Sequence, residues 1–205
     1  MQSQIEALRV QIAIEGNRPL MFNRMSEETL EGLRTKEKKP KTAPRDDLRG
    51  EASKKLYLTT DTKRPFIPDH MLWSCLVAAG QFVRLDGKRM MSTAQSTVLP
   101  SFCRLEDSHC LITPEKWEVD MRPGRNPNGG EGICIVRPRF DKWSITFTLR
   151  IWSKKIDEQR IRELVDVAGS CRGLGSFAPI HKGTYGTFDV LRWDRIQEQE
   201  LKAAD

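Results

Sequence analysis

Apolar and polar positions alternate strictly at the start of the chain, where Leu8, Val10, Ile12 and Ile14 are interleaved with Arg9, Gln11 and Ala13. A period of two with one apolar side predicts a half-buried strand over residues 7–15. The signature returns at Trp143, Ile145, Phe147, Leu149 and Ile151, separated by Ser144, Thr146, Thr148 and Arg150. Only one face of that strand belongs in a core. A last strand is expected over residues 187–193. Three- and four-residue spacing marks helices instead. Leu72, Leu76 and Ala79, with Met71, Cys75 and Phe82, predict a helix from His70 to about Phe82, capped by Asp69. Ile161, Leu164, Val165 and Ala168 predict a second, opened by Asp157 and closed by Gly169. Ser26 caps a short helix ending near Arg34.

Shorter strands are expected at 98–105, 110–113, 116–122 and 133–137. The last two are joined by the Gly- and Pro-rich run Pro123–Gly132 and read as a projecting hairpin over 116–139. The order is β-α-β-β-α-β. Right-handed crossovers then favour an α+β, ferredoxin-like (RRM-like) fold in a single domain spanning 1–205, with both helices on one sheet face. The other face is left open to a partner.

Charge changes this picture. The net charge is +6, and residues 32–64 hold eleven Lys or Arg against five acids. With few apolar residues, the segment 35–66 reads as a long, basic, flexible insertion after the first strand. Lys38, Lys39 and Lys41 lie within it. A polyphosphate would favour such a segment through counterion release; a solvated surface loop is the plainer reading. Five Cys without a close CxxC pair, and three His, give neither a disulfide framework nor a zinc site. No metal and no cofactor are expected. No apolar run is long enough to span a bilayer and no basic-then-apolar leader opens the sequence, so the expectation is a cytoplasmic protein with no membrane partner.

Between the second helix and the last strand, Gly173, Gly175, Gly183 and Gly186 fall within fourteen residues. Glycine tolerates the positive φ angles from which backbone N–H groups form an anion-binding concavity. Arg172, His181 and Lys182 add charge there. The same glycines also suit a tight structural connection. Neither a P-loop ending nor a following helix is present, which excludes the two common Gly-rich nucleotide motifs. On or beside the hairpin, Arg122, Arg125, Arg137 and Arg139 are candidate phosphate contacts; ion pairs with Asp120, Glu131 or Asp141 are the alternative. The cysteines read as core fillers. Of the five Trp, most belong to the core, and an exposed one would stack on a base.

Ile67-Pro-Asp-His-Met-Leu-Trp73 at the entrance of the first long helix, Gly173-Leu-Gly175 with Gly183 and Gly186, and the order of helix, Gly-rich loop and last strand together resemble the RAMP superfamily of CRISPR RNA-binding proteins. The likeness covers the scaffold of about two-thirds of the chain. It departs at Asp69-His70, where small residues are usual, and at Ala178-Pro-Ile-His181, which interrupts the loop. The resemblance implies a non-catalytic, largely sequence-independent RNA-binding subunit. Its partners would be RNA and other subunits or copies of itself. Some RAMP relatives cleave RNA without metal through a histidine, which makes His70 and His181 the catalytic candidates of a second reading. Compact chains of this pattern also resemble phage proteins, and a structural or assembly protein is the third.

Overall fold

The computed structural model describes residues 7–35, 47–125, 130, 132–152 and 156–196. In chain order the elements are β1 (Leu8–Gly16), β2 (Leu20–Met21), α1 (Glu27–Thr35), α2 (Leu48–Ser53), β3 (Phe66–Pro68), α3 (Asp69–Ala79), β4 (Cys103–Leu105), β5 (His109–Leu111), β6 (Glu118–Arg125), β7 (Gly132–Phe140), β8 (Ser144–Ile151), α4 (Glu158–Val167) and β9 (Phe188–Ile196).

The alternating segments meet as their pattern requires. In β1, Val10, Ile12 and Ile14 stand opposite Leu149, Phe147 and Ile145 of β8, and all six side chains are buried. β9 pairs with the other edge of β1, with a register shift between Ala13 and Ile14. β4 pairs with β8, giving a four-stranded antiparallel sheet in the order β4-β8-β1-β9. Its apolar face joins Leu72 and Leu76 of α3 and Ile161, Leu164 and Val165 of α4 in one core cluster. The chain is thus an α+β protein built on antiparallel sheets. Two further sheets, β2-β7-β6 and β3-β5, join the expected strands β5, β6 and β7 with β2 and β3, which the sequence pattern did not mark.

The opposite face of the four-stranded sheet carries no helix among the described residues and is polar. Arg9, Gln11, Ala13 and Glu15 lie beside Arg150, Thr148, Thr146 and Ser144, flanked by Arg104, Asp189, Arg192 and Asp194. Two of its arginines are answered by one acid: Glu106 accepts from Arg9 Nε and Arg150 Nε, both at 2.6 Å, and Asp107 accepts from the Thr148 N–H at 2.5 Å. Acidic and basic side chains are mixed on this face.

Two boundaries moved. Pro68, not Asp69, is the N-cap of α3, and Asp69 begins the helix, accepting from the His70 N–H at 2.6 Å. Phe82 lies beyond the end of α3 and is exposed. Of the basic segment 35–66, residues 47–66 are folded. Asp47 caps α2 by accepting from the Gly50 N–H at 2.7 Å, and Ala52 and Leu56 are buried. The Lys55 ammonium donates to the Val136 carbonyl of β7, and Arg49 stacks 4.2 Å from the Trp117 ring centre. This half of the segment therefore packs against the hairpin. Lys38, Lys39 and Lys41 lie outside the described residues.

No helix among the described residues is long and apolar enough to cross a membrane. Cys75, Cys103 and Cys110 are buried, whereas Cys134 and Cys171 are exposed. Burial pushes all three inner thiols up to about 12. Iodoacetamide at pH 8 is expected to label Cys134 and Cys171 in the native protein and the other three only after unfolding. Mass spectrometry of the labelled peptides checks this.

Candidate nucleic-acid cleft

After α4 the helix widens into a single π-turn, Ala168–Arg172, and Gly173, at φ +65°, ends it. The chain then folds over β2. Gly175 (φ +73°) runs so close to β2 that any Cβ would overlap the Met21 carbonyl. A Cβ at Gly183 would overlap the Phe177 carbonyl, and one at Gly186 (φ +68°) that of Leu174. Eight backbone N–H groups of this loop, those of Gly173, Leu174, Ser176, His181, Lys182, Gly183, Tyr185 and Gly186, donate to carbonyls within the protein. The glycines therefore let backbone approach backbone. Of the three glycines expected to offer an anion-binding nest, Gly173 and Gly183 have their N–H groups committed, to Ala168 at 2.9 Å and to Ala178 at 3.1 Å.

The loop does build one wall of a cleft of about 410 Å³. Gly173–Ser176, Ile180 and His181 face the first turns of α3, which supply His70, Met71, Ser74 and Cys75; Asn23 and Tyr57 complete the lining. His70 and His181, far apart in sequence, thus share one cavity. His70 is largely exposed, lies edge-on to Tyr57 with ring centres 6.2 Å apart, and has Nδ1 3.8 Å from the Asp69 carboxylate. Among the described residues no carboxylate lines this cleft. Its polar groups are two imidazoles, a phenol, two serine hydroxyls and an amide, a set that both donates to and accepts from a phosphodiester or a ribose hydroxyl. Cys75 is not a nucleophile here: its buried thiol, pushed up to about 12 by burial against the opposing charge of Arg172, faces the Ala168 and Gly173 carbonyls at 3.6 and 3.2 Å.

The hairpin arginines are mostly occupied. Asp120, 8% exposed at its side chain, accepts from Arg122 Nε at 2.6 Å and from Arg139 Nη1 at 3.0 Å. Burial alone would raise the Asp120 carboxyl; the hydrogen bonds and charges of Arg122 and Arg139 outweigh it and hold the group below its ordinary value. Arg122 also donates to the Tyr185 hydroxyl at 2.5 Å and lies 5.3 Å from the centre of Phe177. Arg137 lies over Phe177 at 4.6 Å, and its buried Nε has no acceptor among the described residues. Arg139 makes a second pair with Asp141 at 2.8 Å. These contacts clamp the hairpin base onto the Gly-rich loop. They leave Arg125, exposed at the end of β6, as the hairpin arginine with no partner among the described residues.

Arg172 is likewise committed to structure, donating to the Ala78 carbonyl at 3.1 Å and stacking 4.2 Å from the centre of Phe82 at the end of α3. Lys182, in a left-handed conformation at φ +63°, is exposed beside His181. Tyr57, Asn23 and Ser74 were not singled out from the sequence. Ser74 was within reach: it stands four residues after His70 on the same helix face. Tyr57 and Asn23 arrive through tertiary packing and carry no local signal. Among the described residues no group of His, Cys, Asp or Glu could hold a metal ion. No protein-family model matches the chain, and no curated protein matches it.

Proposed function

We propose that the chain binds single-stranded RNA through its backbone, as a RAMP-like subunit working in the cytoplasm with further subunits or copies of itself. The observation that carries this reading is the cleft between α3 and the Gly-rich loop, lined by no carboxylate among the described residues, with the exposed Lys182 next to its lining residue His181. The fold supports it. Numbered along the chain, the strands of the main sheet run 2-3-1-4, with α3 between the first and second and α4 between the third and fourth. That order supports the ferredoxin-like reading.

Fluorescence anisotropy of a labelled RNA of about 15 nucleotides tests the reading, since such a length fills single-strand sites of this size. Binding is expected to weaken with salt, with a slope of about 0.7 per phosphate contacted. Arg125→Glu with Lys182→Glu is expected to lower affinity about tenfold for every sequence tried, each lost phosphate contact acting independently of the base. No binding at low salt with about 10 µM protein, within the usual range for non-specific complexes, overturns it.

The meeting of His70 and His181 in one cavity favours a second reading, metal-independent RNA cleavage. One imidazole would take the proton of the ribose 2′-hydroxyl as that oxygen attacks the adjacent phosphorus; the other would protonate the departing 5′-oxygen. The products are a 2′,3′-cyclic phosphate and a 5′-hydroxyl. Cleavage in EDTA that disappears in both His70→Ala and His181→Ala supports this reading; intact RNA after prolonged incubation rejects it.

A further inference from the structure

On the far side of His70 a second cavity opens, of about 550 Å³, a size that suits a small organic ligand. Its walls include Asp69, His70 and Trp73 from α3, Arg104 from β4, and Trp152 just after β8. His70 lines both cavities, so the two adjoin at the entrance of α3.

The tryptophans here differ from the other three. Trp143 donates its indole N–H to the Arg18 carbonyl at 2.9 Å, Trp193 donates to Glu158 at 2.6 Å, and Trp117 is covered by Arg49. Trp73 and Trp152 are half-buried, and their indole N–H groups meet no acceptor among the described residues. Partly buried indoles normally find one. Arg104 is exceptional in the same way. Its cross-strand neighbour Arg150 is held by Glu106, whereas Arg104 is exposed and has no carboxylate partner among the described residues.

Two half-buried indoles with unused N–H donors and an unanswered guanidinium lining one cavity match a nucleotide: a base to stack and a phosphate to neutralise. We propose that this cavity is a nucleobase pocket, in which Trp73 and Trp152 hold one base of the bound strand and Arg104 holds its phosphate. The proposal rests on the RNA-binding reading and deepens it. A strand lying in the first cleft passes His70 and places its next base here. Asp69, the carboxylate in the pocket's lining, favours base edges that donate hydrogen bonds.

The test uses the full chain and three probes: AMP, ribose 5-phosphate and an adenylate RNA 15-mer. AMP is expected to quench tryptophan emission, and ribose 5-phosphate is not. Trp152→Ala should abolish the AMP quench and lower 15-mer affinity about tenfold, in keeping with the stacking of one base, while Trp152→Phe retains most of the affinity. Arg104→Glu, at an exposed position that leaves the fold intact, should weaken AMP and the 15-mer together. If the 15-mer binds wild type and both Trp152→Ala and Arg104→Glu equally, the pocket is rejected and RNA binding stands. If AMP quenches but the 15-mer does not bind, the pocket stands and the RNA reading falls. If neither probe binds, both fall.

Discussion

Gly186→Ala is expected to lower the melting temperature by about 10 °C, a loss of about 3 kcal/mol for a chain of this size. Two costs combine. At φ +68° an alanine Cβ sits in the left-handed region, at about 1 kcal/mol or more. The same Cβ would overlap the Leu174 carbonyl, part of a residue whose own N–H donates to the Gly186 carbonyl at 2.9 Å. Gly186 in turn donates to the Pro19 carbonyl at 2.8 Å, so a shift there pulls on the segment that leads into β2. Gly87→Ala is the control: nothing lies within 4 Å of its added Cβ, and the change is expected to stay within about 0.5 kcal/mol. Differential scanning calorimetry of the two variants distinguishes a glycine needed for backbone approach from one that merely occupies a turn. An unchanged melting temperature in Gly186→Ala would show that the loop is not laced as described.

Asp120→Ala carries the second large effect, about 2 kcal/mol at pH 7. Removing one partner of a fully buried ion pair costs roughly 3–5 kcal/mol. Here the arginine side chains are 33% and 31% exposed, so water screens what is left behind and the figure is reduced. The loss arises because Arg122 is left near Arg137 without a carboxylate partner, and Arg139 keeps only Asp141. The pH dependence has a definite sign. Asp120 is held below its ordinary value in the folded chain, so its contribution is fully present above that value, 3.8. It disappears as acid protonates the folded carboxyl. The gap between wild type and Asp120→Ala in urea unfolding is therefore expected to be constant from pH 6 to 7 and to shrink below about pH 4. A gap that widens in acid would contradict this account of the clamp.

The pattern along the chain located β1, β8 and α4, because each has a strong local signal: strict alternation in the strands, and Asp157 with a three-and-four stripe in the helix. Asp157 accepts from the Gln159 N–H at 3.1 Å, and Ile161, Leu164, Val165 and Ala168 are all buried. The folded part of the basic segment was not legible. Averaged over residues 35–66 its composition is that of a solvated chain, yet two small anchors, Ala52 and Leu56, and the Lys55 contact dock half of it. Charge counting left the arginines open for a related reason. It cannot separate free cations from the paired ones the sequence also allowed, and in the fold Asp120, Asp141 and the carbonyl of Ala78 hold Arg122, Arg139 and Arg172. The Gly-rich loop was found by its composition, but its physical purpose was visible only in the overlaps a Cβ would cause. The shared cavity of His70 and His181 depends on a long-range juxtaposition that no spacing encodes.

The most direct measurement is photocross-linking of a 4-thiouridine RNA of about 15 nucleotides, a length typical of single-strand sites, followed by mass spectrometric mapping. Cross-links are expected at Tyr57, at His70 and Ser74, and across Ile180–Lys182. Cross-links confined to Gln11, Thr146 and Arg192 on the uncovered sheet face, or none at all, would contradict the assignment of the cleft.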